Sequence, residues 1–172
     1  MSAPGITARR IVHQTRGHVH GPVTRLMSPG DLGEFLKPFV FLDIFSLADS
    51  SKSPFDLHPH SGIATVTVFT HGDASFDDGA GNTGTIGYGG VEWMRAGRGV
   101  WHGKELGAGH SKGLKGFQLW LALPAELELA DAESQYLEAA SIPKVALHVS
   151  SLGAMAGRRA PCARRSASII LW

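Results

Sequence analysis

The sequence predicts an all-β fold, a sandwich or closed barrel, and three observations carry that expectation. Short runs rich in Val, Ile, Thr and aromatic residues recur between about residues 38 and 124, and such residues suit a pleated, half-buried surface. Gly, Asp, Asn and Pro punctuate them as turns do in small barrels. No long helical period separates them, which argues against a βαβ arrangement.

Taken in order, the first strand is expected over 39–45, where Phe39, Phe41 and Phe45 share one parity. The second, over 63–71, alternates Thr65 and Thr67 with Val66 and Val68. Short strands follow over 74–77, 84–86, 91–94 and 99–102, and a longer one over 116–123. Glycines between Gly72 and Gly116 supply the positive φ that tight turns need. Residues 130–140 have fair helical propensity and a thin apolar face, so a modest helix is expected there. The stretch 154–168 has neither strand nor helix period and is expected to be poorly ordered.

Composition narrows the function classes. A length of 172 residues suits one domain with a real core. A net charge of +1 gives no field to attract nucleic acid or an anionic membrane, although Arg158, Arg159, Arg164 and Arg165 make the C-terminus locally basic. One cysteine, Cys162, excludes an internal disulfide and a thiolate cluster, so a metal would need nitrogen and oxygen ligands. No segment has signal-peptide or membrane-span character, and a soluble, cytoplasmic protein is expected.

Three motifs match on paper and fail on context. Gly79-Ala80-Gly81-Asn82-Thr83-Gly84 fits a dinucleotide-binding pattern, but no helix is expected after it to point its amides at a pyrophosphate, so it reads as a hairpin connection. Gly109-His110-Ser111-Lys112-Gly113 fits a nucleophile elbow without the strand and helix that an elbow requires, and reads as a mobile polar loop. Asp73, Asp77 and Asp78 lack calcium-loop spacing and read as turn chemistry.

The chemistry lies in His58-Pro59-His60, at the mouth of the second strand. Residues i and i+2 of a strand share a face, so both imidazoles can meet one ion, and Pro59 stiffens the backbone between them. His18 and His20 have the same spacing among Gly17, Gly21 and Pro22 and read as exposed. His102 ends a short strand about forty residues later, a separation that lets a returning strand bring it back. Three imidazoles, one carboxylate and open positions suit Fe(II), Mn(II), Ni(II) or Cu(II) better than a closed structural zinc. Trp93, Met94, Trp101, Phe117, Leu119 and Trp120 read as barrel core, Glu92 as an exposed strand carboxylate, and Ser61, Arg98 and Asp43 as turn and barrel-end hydrogen-bonding groups.

These residues carry a family resemblance. Phe41-Leu42-Asp43, His58-Pro59-His60 with its following strand, Gly84 to Gly87, Val91-Glu92-Trp93-Met94, Ala96 to His102 and Gly116 to Pro124 occur in one order. Over residues 8–143 the chain thereby resembles the N-terminal domain of pirin, in the cupin superfamily. The resemblance implies a jelly-roll β-barrel holding one iron, with His58, His60, His102 and a glutamate as ligands. Fe(II) is the first expectation, with Mn, Ni, Cu or Zn as alternatives.

Pirins usually read His-x-Glu, and here Lys104 stands at the carboxylate's place with Glu105 next. Glu105 faces away from His102 in a regular strand. A bulge at Gly103 would turn it into the site; otherwise water completes the shell. The resemblance implies a quercetin 2,3-dioxygenase type of oxidoreductase acting on a small aromatic, flavonol-like substrate, with Glu105 as ligand and acid–base residue. The alternative is a non-enzymatic, iron-dependent regulatory protein that engages a protein partner. Pirins usually continue into a second barrel, whereas residues 144–172 diverge from the family. A truncated, impaired member is therefore expected to expose an apolar patch and to self-associate.

Overall fold

Antiparallel pairing organises nearly every segment of the computed structural model, which describes residues 11–48, 57–77, 83–103, 106–143 and 169–171. The strands are β1 (His13–Thr15), β2 (His18–His20), β3 (Val23–Met27), β4 (Phe39–Leu47), β5 (His58–His60), β6 (Ile63–His71) and β7 (Ala74–Asp77), followed by β8 (Thr83–Ile86), β9 (Val91–Arg95), β10 (Val100–His102), β11 (Leu106–Ala108), β12 (Leu114–Ala122), β13 (Glu133–Leu137) and β14 (Ile169–Leu171). One short helix, α1 (Leu32–Phe35), precedes β4.

Seven strands form the main sheet in the order β13-β9-β6-β12-β4-β3-β2. A three-stranded sheet, β11-β7-β8, and the pair β10-β5 complete an all-β jelly-roll barrel. Strand β14 pairs with β1. The intervening stretch 154–168 lies outside the described residues.

Period-2 alternation decides what faces the interior. Phe45, Leu47, Phe69 and Leu114 of the main sheet meet Ala74 and Ile86 of β7 and β8 in the apolar core. Burying a side chain the size of Phe69 or Ile86 contributes about 2–3 kcal/mol. The next inward row is polar: register aligns Tyr136, Glu92, Thr67, Gln118, Asp43 and Arg25 across six strands. A third row aligns Met94, Thr65, Trp120 and Phe41. The barrel interior thus grades from apolar to polar to aromatic.

Alternation corrects two expectations, and strand pairing corrects a third. Glu92 is not an exposed carboxylate: it is 2% exposed, because it shares its parity with buried Met94. Of the six residues expected in the core, only Met94 is fully enclosed. Trp93, Phe117 and Leu119 take the opposite parity and are half-buried on the outer face, while Trp101 is 66% exposed. The helix expected over 130–140 is instead β13 followed by a 3₁₀ turn at Ala139–Ser141. Residue-by-residue pairing with β9 gives this segment a sheet partner, and that tertiary context overrides its helical propensity.

The paper motifs resolve physically. Gly84 lies inside β8, which pairs with β7, so a hairpin and not a helix surrounds the glycine-rich run, whose residues 79–82 lie outside the described residues. Ser111 is a clamp. Its hydroxyl accepts the Asp73 N–H at 2.8 Å, and the Asp73 carboxylate accepts the N–H groups of His110 and Ser111, each at 2.7 Å. Hydrogen bonding to the carboxylate itself, led by the Ser111 side chain and then the His110 backbone, holds the Asp73 carboxyl far below the usual carboxylate range.

A carboxyl with a depressed folded-state pKa adds stability above its unfolded value and loses it as pH falls. Acid unfolding of the wild type will therefore carry an Asp73 contribution that begins to fade as pH drops through about 4. Asp73→Asn is expected to cost about 1–2 kcal/mol at neutral pH and to flatten that acid dependence. Urea melts of both proteins from neutral to acid pH check this; identical pH profiles would contradict it.

Candidate metal centre

The pair β5-β10 brings the three histidines together. Its register sets His102 opposite His58, Val100 opposite His60, and Trp101 opposite Pro59. Pro59 and Trp101 point outward and are exposed, so the alternate residues point into the barrel mouth. Directly opposed residues hold their Cβ atoms within about 5.5 Å, close enough for two imidazoles to share an ion.

Two turns hold this pair in place at one end of the main sheet. The Gly62 N–H donates to the Gly97 carbonyl at 2.8 Å, and the Ala96 N–H to the Ile63 carbonyl at 2.9 Å. In the second turn the Gly99 N–H closes on the Ala96 carbonyl, and the Arg98 N–H reaches the Ala130 carbonyl, each at 2.9 Å. Gly97 has φ +52°, and a Cβ there would run into the Ala130 carbonyl oxygen, so glycine is required. Arg98 adds an exposed ion pair to Asp131. It acts as a turn-anchoring residue.

The resulting cluster is tight. Ring centroids lie 4.8 Å apart for His58 and His60, 4.4 Å for His58 and His102, and 4.8 Å for His60 and His102. One ligating nitrogen from each lies within 4.8 Å of the others, the one such grouping of three potential ligands among the described residues. His60 and His102 are each 8% exposed, while His58 is half-buried and leaves the cluster open on its side. The Nε2 atoms of His60 and His102 are buried and take no hydrogen bond, although both residues keep other interactions.

This donor set fits a divalent transition metal. Three nitrogens converge within 4.8 Å of one another, imidazole is a ligand such ions favour, and half-buried His58 leaves the grouping partly accessible to water or a small molecule. Lys104 and Glu105 lie outside the described residues. His18 and His20, in β2, are exposed as expected and belong to no such grouping among the described residues.

Two residues beside the cluster were not singled out as site residues by sequence reasoning. The Trp120 ring packs edge-on against His60 with centroids 4.8 Å apart. Gln118 accepts the Trp120 indole N–H at 2.9 Å. The spacing Gln118-x-Trp120 in a strand was the available signal, since it puts both on one face.

Fold and site together define a cupin-type jelly-roll with a grouping of three histidines that could hold a metal ion. A family model described as Pirin matches residues 21–121, and the chain belongs to the pirin family. It is 37% identical over 123 residues to a pirin-like protein of Caulobacter vibrioides, covering 70% of this chain and 44% of that one. It is 34% identical over 156 residues to a pirin-like protein of Solanum lycopersicum, covering 91% and 52%. A crystal structure of quercetin 2,3-dioxygenase from Acinetobacter baumannii is 32% identical, with a TM-score of 0.66, covering 82% of this chain and 54% of that one. The chain spans about half the length of the curated relatives it matches.

If the three histidines form one centre, His102→Ala will abolish stoichiometric cobalt(II) uptake while His18→Ala leaves it intact. Equilibrium dialysis with elemental analysis measures both, and equal uptake by the two variants would contradict the assignment.

Proposed function

We propose that this barrel, residues 8–143, is a metal-dependent dioxygenase of the quercetin 2,3-dioxygenase type that acts on a small, flavonol-like aromatic substrate. The observation that carries the reading is the half-open convergence of His58, His60 and His102, and the likeness to the Acinetobacter quercetin 2,3-dioxygenase supports it. Fe(II) is the metal we favour, with Mn, Ni, Cu or Zn compatible with the same nitrogens. When bound, the metal supplies a Lewis acid that lowers the pKa of a phenolic or enolic hydroxyl. His58, His60 and His102 hold it, and the half-buried Trp120 beside them offers an aromatic wall for a flat substrate. The single cysteine suits the reducing cytoplasm.

Glu105 is proposed as the fourth ligand and as the base that takes the substrate's hydroxyl proton. Gly103 supports this: its φ of +122° belongs to glycine and lets the chain leave a regular strand directly after His102. Glu105→Ala is expected to weaken metal binding by at least about tenfold and to stop turnover. Oxygen uptake with quercetin, read beside metal content, tests both roles. Full metal content and unchanged turnover in Glu105→Ala would remove Glu105 from the site.

Lys104, a cation where the family places a carboxylate, favours a second reading. In it the barrel is a non-enzymatic regulatory protein whose metal occupancy or oxidation state is read by a protein partner. Stoichiometric metal without quercetin-dependent oxygen uptake would select this reading.

Self-association is proposed through the outer face of the main sheet. Val68 and Phe117, and Trp93, Val66, Leu119 and Leu42, form adjoining apolar rows there. The occupant is a second copy, a partner of the size that the longer relatives carry as additional chain. Sedimentation of the wild type is expected to show a dimer that Phe117→Lys dissociates; a monomeric wild type at high concentration would contradict it.

A further inference from the structure

We infer that Gln118 is a positioning residue for the ligand His60, acting through Trp120. The inference deepens the metal-centre reading and rests on it for its effect on affinity. Strand parity puts Gln118 and Trp120 on the inner face of β12, two residues apart. The Trp120 indole N–H donates to Gln118 Oε1 at 2.9 Å, and Gln118 Nε2 donates to Thr67 Oγ1 at 3.2 Å on the neighbouring strand. Thr67 is buried. The amide therefore has one orientation that satisfies both partners, and that orientation fixes the indole plane.

The other side of the indole is fixed as well. Phe41 stacks on Trp120 with centroids 4.0 Å apart and planes 17° apart. The Arg25 guanidinium lies 4.3 Å from the Phe41 centroid, and two 3.1 Å bonds tie it to the Asp43 carboxylate. Held from both directions, Trp120 meets His60 edge-on, at an interplanar angle of 76°. Such a contact restricts rotation of the imidazole about its χ2 angle. It does for the ring plane what a hydrogen bond to the second ring nitrogen does at many metal sites.

The test uses the full chain, with cobalt(II) as the probe. In the metal-free protein, Gln118→Met is expected to shift the His60 ring-proton resonances, because the neighbouring indole moves. Its cobalt(II) affinity is expected to fall about tenfold, with an altered cobalt absorption spectrum. In a Trp120→Phe background, where there is no indole N–H to hold, Gln118→Met should change neither quantity. Urea melts monitor folding. If Gln118→Met does not fold, Thr67→Val keeps the shape of Thr67 and should move the same resonances in the same direction by a smaller amount. Unmoved His60 resonances in the folded variant would overturn the inference. So would an equal loss of affinity in the Trp120→Phe background. A wild type that binds no cobalt(II) would instead refute the metal-centre reading, while the metal-free resonances still decide whether Gln118 orients His60.

Discussion

Antiparallel pairing of His58–His60 with Val100–His102 is the interaction on which the site depends. Neither segment contributes much by itself, since three residues of strand cannot hold their own geometry. What fixes them is their anchoring. Both segments leave the main sheet at neighbouring turns, and backbone bonds between Gly62 and Gly97 and between Ala96 and Ile63 tie those turns together. The imidazoles therefore inherit their separation from the sheet register of β6 and β9. A ligand set built this way is pre-organised at little side-chain entropy cost.

The barrel interior shows why the site sits where it does. At one end Phe45, Phe69 and Ile86 close a dry core between two sheets. One row further on, buried Glu92 and Thr67 and half-buried Gln118 bring polar groups inside, where they need partners to be tolerated. The following row, Trp120 and Phe41, adjoins the histidines. Stability is thus concentrated away from the mouth, and the mouth is free to carry groups that serve a ligand and add little to folding.

Much of this was legible in the sequence, for identifiable reasons. The strand at Ile63–His71 is rich in β-branched residues, and its observed bounds match the expected ones. The histidine triad was legible because i and i+2 spacing in a strand is a strong geometric statement. Parity errors account for most of the rest. Reading Trp93, Phe117 and Leu119 as core ignored that Met94, Gln118 and Trp120 had already claimed the inner face. Glu92 was misread because a carboxylate is seldom buried, and its parity with Met94 and its register against Thr67 reveal the inward direction. Strand β13 was hidden because its sheet partner lies some forty residues upstream, beyond the reach of local propensity.

Whether three imidazoles from two paired strands share one metal ion decides the nature of the site. X-ray absorption at the metal edge of the cobalt-loaded wild-type chain tests it most directly, since imidazole rings give a scattering signature that water and carboxylate do not. The expected result is a first shell of nitrogen and oxygen in which three ligands are imidazoles. A stoichiometric site fitted by one imidazole or none would contradict it.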